Sequence, residues 1–322
     1  MPSPSSSLST LRPDLATFME FDLEMLQNGF IATQVLPVIE TQKQSGPFGK
    51  IPVEQLLKER ETARAPGSGY ARSTFTFTTE SFACEEHGAE EPVDDREAEM
   101  YADYFDAEQI SAARARRAVM VNAEKRAAAA VFNATTWTSY TGAVATAWST
   151  AASAVPLTDV ETAVSAVWSQ CGIWPNALVI NRRNFRLLRN VDQIIDRVKY
   201  QGFMDARAGN ISVQALAQAF DLPYLIVAGG TRDSANEGQD TTFAPIWANT
   251  YAMVCRIATS RDIREPCIGR TFHWAADGSE IGGTMESYRD ETVRSDIIRC
   301  RHDVDEKVLY VEGGYLLSGV SA

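Results

Sequence analysis

The chain has 322 residues, 45% of them apolar, and carries 42 acidic against 30 basic side chains for a net charge of -12. That length and apolar content support a sizeable core and exclude a wholly disordered chain, while the acidic balance argues against a free-standing nucleic-acid-binding module. No run of 18 apolar residues occurs, so no membrane span is expected, and the Ser- and Pro-rich start lacks the basic-then-apolar pattern of a secretion signal, which implies cytoplasmic synthesis.

In chain order, Leu15, Met19, Leu23, Leu26 and Phe30 recur at close to helical spacing and predict a short amphipathic helix ending near Asn28 and Gly29. Residues 31–53 are then extended apolar pieces broken by Pro37, Gly46, Pro47, Gly49 and Pro52, the pattern of an arm lying along another surface. The turn run Pro66, Gly67, Ser68, Gly69 precedes Phe75 and Phe77 alternating with Thr74, Thr76 and Thr78, which predicts a returning strand. Together these describe a hairpin-like excursion, out near Gly49 and back near Phe82, with too few apolar residues to form its own core.

Asp94 with Glu97 gives a capping-box-like start to a helix continuing to about Ala134, acidic in its first half and basic in its second, with ten alanines between Ala112 and Ala134. Such a helix approaches 40 residues, roughly 60 Å at 1.5 Å per residue. Thr158 and Glu161 form a second capping box ahead of Val160, Val164, Val167, Trp168 and Cys171 on one face, with Gly172 as the stop. Residues 177–180 read as a buried strand, Asn181 as the cap of a basic helix through Arg189, residues 191–200 as a further helix, Ser212 as the next cap and residues 224–228 as a strand. Strands alternating with helices make residues 171–260 an α/β unit. The pattern predicts β segments near 246–257, 270–274, 293–301, 307–311 and 315–320.

Candidate chemistry is sparse. Cys84 and His87 have a metal-like spacing with no second ligand pair beside them. His273 and His302 fall on predicted strands without a nucleophile or carboxylate motif, which favours packing roles. Val227, Ala228, Gly229, Gly230 and Thr231 follow a strand but leave the dinucleotide glycine fingerprint incomplete, so a turn is expected. The acidic runs Glu85, Glu86, Glu90, Glu91, Asp94 and Asp95 read as a solvated face or an intersubunit contact. The five cysteines, odd in number and widely spread, read as free thiols.

Three stretches carry a resemblance. Residues 28–38 (Asn28, Gly29, Phe30, Ile31, Ala32, Thr33, Gln34, Val35, Leu36, Pro37, Val38), followed by Lys43, Gln44, Ser45 and Gly46, resemble the start of many tailed-phage major capsid proteins. The run Glu85, Glu86, His87, Gly88 through Glu97 resembles the passage from extended loop to spine helix in that family, and Trp174 to Ile180 resembles the strand opening its axial domain. The likeness covers about residues 18–320.

The resemblance implies an α+β, Hong Kong 97-like capsid fold: an N-terminal arm (1–48), an extended loop (49–82), a first part of the peripheral domain with the spine helix (83–170), an inserted α/β axial domain (171–260) and a second peripheral part (261–322). It implies a shell subunit forming pentamers and hexamers of an icosahedral phage head around double-stranded DNA, located in the virion and made in the host bacterial cytoplasm. No enzymatic activity, cofactor, metal or sequence-specific DNA contact is expected. Partners are further copies of the chain, a portal, possible decoration proteins and a separate scaffolding protein, the last because the chain begins almost at the arm. Intersubunit contacts are expected at Phe30, Val35, Leu36, Phe75 and Phe77. Some relatives crosslink through Lys and Asn, a role open to Lys50 or Lys58. A cellular nanocompartment shell of the encapsulin kind is the alternative within the fold, and a soluble α/β enzyme the alternative outside it.

Overall fold

The computed structural model describes residues 10–12, 29–50, 52, 57–59, 62–72, 74, 76, 78–101, 106–200, 211–236, 238–276 and 278–321. The first half of the chain contributes β1 (Thr10–Leu11), α1 (Ala32–Val35), β2 (Val38–Thr41), β3 (Ser45–Lys50), β4 (Thr78–Ala83), β5 (Glu85–Asp94), α2 (Asp95–Tyr101), α3 (Ala107–Val131) and β6 (Thr141–Ala143). Then come α4 (Pro156–Cys171), β7 (Ala177–Asn181), α5 (Arg182–Leu188), α6 (Asp192–Tyr200), α7 (Val213–Ala219), β8 (Tyr224–Ala228), β9 (Thr231–Asp233) and β10 (Phe243–Pro245). The chain closes with β11 (Tyr251–Cys255), β12 (Gly269–Trp274), β13 (Thr284–Asp290), β14 (Ser295–Val308) and β15 (Gly314–Ser318).

β14 organises one of two main sheets. Its 14 residues pair antiparallel with β5 along one edge and with β13 and then β12 along the other, while β1 extends β13 and β2 lies parallel to β12. The second sheet runs β6-β15-β11-β7-β8, with β7 and β8 parallel because α5, α6 and α7 intervene as a crossover. Both faces of this sheet are covered. Leu178 and Ile180 of β7 point into a core with α4, α5, α6 and α7, whereas Ala177 and Val179 point into a core shared with α1 and the end of α3. A strand buried on both faces reads as a continuous apolar run, which is why residues 177–180 were legible.

Local start and stop signals behave as their chemistry requires. The Asn181 side chain accepts from Arg183 N–H at 2.7 Å and Ser212 Oγ from Ala215 N–H at 3.1 Å, capping α5 and α7. Gly172 takes φ +68° at the end of α4, a left-handed cap open to glycine without strain.

Four sequence expectations change. The long helix is interrupted: Asp106 has extended backbone (ψ 109°), and its carboxylate accepts from Glu108 and Gln109 N–H to begin α3 afresh. α3 is therefore 25 residues, about 37 Å at 1.5 Å per residue. Second, α4 starts at Pro156, two residues before the supposed Thr158 cap, because proline at the first helical turn needs no donor. Third, the strands expected at 293–301 and 307–311 are one strand, β14, whose polar middle residues His302 and Asp303 are buried among partners. Fourth, the acidic run at 85–94 is itself a strand, β5. The expected helix near residues 15–28, together with Phe75 and Phe77 of the expected 73–79 strand, lies outside the described residues.

Candidate assembly surfaces

The arm is held by one carboxylate. Glu124, on the inner face of α3 and almost wholly buried, accepts Ile31 N–H at 2.7 Å, Ala32 N–H at 2.9 Å and the Trp247 indole N–H at 2.6 Å. Burial raises its pKa from the ordinary carboxylate value, against the lowering effect of these three bonds. A negative group at the start of α1 also meets the partial positive charge of that turn. Next to it Gly29, at φ +68°, accepts Gly229 N–H at 2.9 Å, so the glycine pair considered for a nucleotide is the place where the arm crosses the β8–β9 turn.

This docking corrects the assignment of three contact residues. Phe30, Val35 and Leu36, expected to meet neighbouring subunits, are 7%, 0% and 0% exposed within their own chain. Phe30 packs with Val93, Val119 and Met120, and Val35 and Leu36 with Val131, Trp137 and Trp247. The apolar pattern of the arm was read correctly, but its bed is the same chain.

The extended loop begins and ends on a two-stranded stem. β3 and β4 pair antiparallel from Ser45↔Ala83 to Lys50↔Thr78, closing the excursion of residues 51–77. Phe82 stacks on Phe272 of β12 with ring centroids 4.8 Å apart, and Phe48 lies 5.4 Å from the same ring. Lys50 bonds Glu80 at 3.2 Å, donates to Leu309 O and lies 4.6 Å over the Tyr310 ring. Beyond the stem, Leu57, Lys58, Glu59 and all residues from 62 to 72 are exposed.

Several acidic residues of β5 and α2 face cations across the sheet. Glu90 meets Arg299 at 2.7 Å, Glu91 meets Arg114 at 3.4 Å and Asp95 meets Arg289 through two bonds of 2.5 and 2.6 Å. Arg126 of α3 makes a bidentate pair with Glu306 at 2.9 Å per bond and approaches His302 Nε2 at 3.3 Å. His302 Nδ1 lies 3.2 Å from Ile281 O, and burial, aided by Arg126, pulls its pKa down to about 4. His87 sits opposite it in register, with its pKa also lowered chiefly by burial. His273 contacts Ser279 Oγ at 3.2 Å. All three histidines are thus packed into one sheet.

Among the described residues no group of three or more His, Cys, Asp or Glu could hold a metal, and no helix is long and apolar enough to cross a membrane. The five cysteines are free and buried, and burial pushes the Cys84 thiol up to about 11. Glu124 and Trp247 were missed by sequence reasoning; a lone acid within an alanine-rich helical stretch was the only available signal for the first. The pairings of β5 were hidden by its charge, although His87, Ala89, Glu91 and Val93 alternate inward with period two.

No family model matches the chain. It is 26% identical over 303 residues to the major capsid protein of Burkholderia phage BcepMu, spanning 91% of this chain and 92% of the relative. It is 22% identical over 300 residues to the major capsid protein of Pseudomonas phage JBD67, spanning 92% and 94%. Among solved structures it superposes on a phage-related protein of Bordetella bronchiseptica RB50 with a TM-score of 0.69 and 18% identity, covering 97% and 98% of the two chains. It also superposes on the mature capsid of bacteriophage PhiM1, with a TM-score of 0.53 and 14% identity, covering 87% and 83%. The fold is the α+β, Hong Kong 97-like fold of phage capsid proteins. Along nearly its whole length the chain is similar in sequence to these two phage major capsid proteins.

Proposed function

We propose that this protein is the major capsid protein of a tailed bacteriophage, whose copies form the pentamers and hexamers of an icosahedral head around double-stranded DNA. The observation that carries this reading is the extended loop. Its stem is fixed to β12 by the Phe48, Phe82 and Phe272 rings, yet its described residues from 62 to 72 are all exposed. A neighbouring subunit supplies the surface that such an excursion lacks in its own chain.

In this reading residues 1–48 and 49–82 are arm and extended loop, 83–170 and 261–322 the peripheral domain and 171–260 the axial domain, with β15 returning to the axial sheet. Phe75 and Phe77 are loop contacts to a neighbour. A wall of net charge -12 encloses DNA without sequence-specific contact and lets it slide. Synthesis in the host cytoplasm, a scaffolding protein, a portal and decoration proteins belong to the same reading, as does a structural, non-enzymatic role.

Expression with the neighbouring scaffold gene, followed by size-exclusion chromatography and negative-stain microscopy, tests it. Closed particles of uniform diameter are expected. A monodisperse monomer at working concentration, even with scaffold present, overturns the proposal.

A further inference from the structure

Five arginines bordering the β14 sheet have carboxylate partners: Arg12 with Glu108, Arg114 with Glu91, Arg126 with Glu306, Arg289 with Asp95 and Arg299 with Glu90. Those of α5 do not. Arg182, Arg183 and Arg186 are exposed and form no ion pair among the described residues, and the same holds for Arg197 on α6. Residues 182–199 carry six cations against Asp192 and Asp196, inside a chain of net charge -12.

This segment is also a rigid platform. α5 is fixed by the Asn181 cap, by Asn184 Nδ2 donating to Asn249 O at 2.7 Å, and by Phe185 and Leu188 in the core. Arg182 lies over the Phe185 ring at 5.8 Å, which orders its stem. A fixed row of unpaired guanidiniums on a well-packed helix is a recognition surface for carboxylates.

The complement is on the same chain. Glu85 and Glu86 at the start of β5 are exposed and form no ion pair among the described residues. Subunits of charge -12 repel one another at long range, so opposite local charges that meet favour self-association and set its register. We infer that the basic face of α5 docks against the acidic start of β5 on a second copy of this chain, setting the register of one subunit on the next. The inference rests on the self-assembly proposed above.

The test is a charge swap in the full chain. Arg183→Glu with Arg186→Glu should raise the concentration needed for assembly at least tenfold, while circular dichroism and the thermal midpoint of the unassembled subunit stay at parental values. Adding Glu85→Arg and Glu86→Arg should restore assembly to within a few-fold of the parent, and raising salt from 0.1 to 0.5 M should weaken the parent more than the double variant. Should the glutamate variant fail to fold, Arg183→Gln with Arg186→Gln gives the same readout with a smaller shift. Unchanged assembly in the α5 variants overturns the inference, as does a defect that the swap leaves entirely unrepaired. Particles that assemble normally but retain less DNA assign the face to nucleic acid and overturn it too. A parent chain that never forms particles would instead remove the proposed function itself.

Discussion

Glu124 and Trp247, 123 positions apart in sequence, are joined by an indole N–H to carboxylate hydrogen bond of 2.6 Å inside the core. The same carboxylate holds the Ile31 and Ala32 amides, so one side chain ties arm, spine helix and the strand-rich second half together. Replacing Glu124 with Ala leaves three buried donors without an acceptor and should cost roughly 3–5 kcal/mol, while Gln, which keeps one acceptor oxygen, should cost about 1–3 kcal/mol. Denaturant unfolding of the unassembled subunit measures both. Because burial raises the carboxyl above its unfolded value of 4.5, the stability linked to its protonation is present below pH 4.5 and lost as pH rises through the folded value. The gap between parent and Gln variant should therefore be widest in acid and narrow toward neutrality.

His302 gives the opposite pH dependence. Its folded pKa of about 4 lies below the ordinary 6.5, so the stability it contributes is complete above pH 6.5 and lost as pH falls through 4. The shift corresponds to a loss on the order of 3 kcal/mol across that window. Arg126, His87 and His273 face it, and all three oppose a proton on its ring. His302→Gln should flatten the acid limb between pH 6.5 and 4 in urea-unfolding series of the subunit; an unchanged limb assigns the acid sensitivity elsewhere.

Gly29 combines a left-handed backbone with contact against another chain segment. An added Cβ would lie 2.6 Å from Gly229 N. Gly29→Ala should destabilise the subunit by about 2–4 kcal/mol through strain and a shifted arm, whereas Gly67→Ala, at φ +86° but with open space around it, should cost only about 1 kcal/mol. Matched thermal melts of the two variants separate the packing effect from the backbone effect.

Phe75 and Phe77 provide a test of the shell rather than the subunit. With both changed to Ser, the subunit's circular dichroism should stay at its parental value while the disruption temperature of assembled particles falls. Each Phe contributes about 1.5–3 kcal/mol of burial per copy when covered by a neighbour. Loss of subunit folding would place these rings in an internal core. By contrast Phe272→Ala, which removes the central ring of the loop stem, should cost the subunit itself roughly 3–5 kcal/mol.

What the sequence determined by itself were the features encoded within a few residues. The Asn181 and Ser212 caps, the Gly172 stop, the doubly buried run at 177–180 and the loop bounded near Gly49 and Phe82 all depend on local backbone chemistry or on a period of 2 or 3.6. The tertiary structure decided everything that depended on a partner distant in sequence. The apolar arm residues Phe30, Val35 and Leu36 look the same in sequence whether their bed is a neighbour or their own chain, and only the Glu124 acceptor settles it in favour of the latter. Charge concealed β5, because Glu90, Glu91 and Asp95 read as solvated until Arg299, Arg114 and Arg289 are brought opposite them. Asp106 begins α3 because its carboxylate captures two amides, a start that helix propensity alone left open in an acidic, helix-forming run.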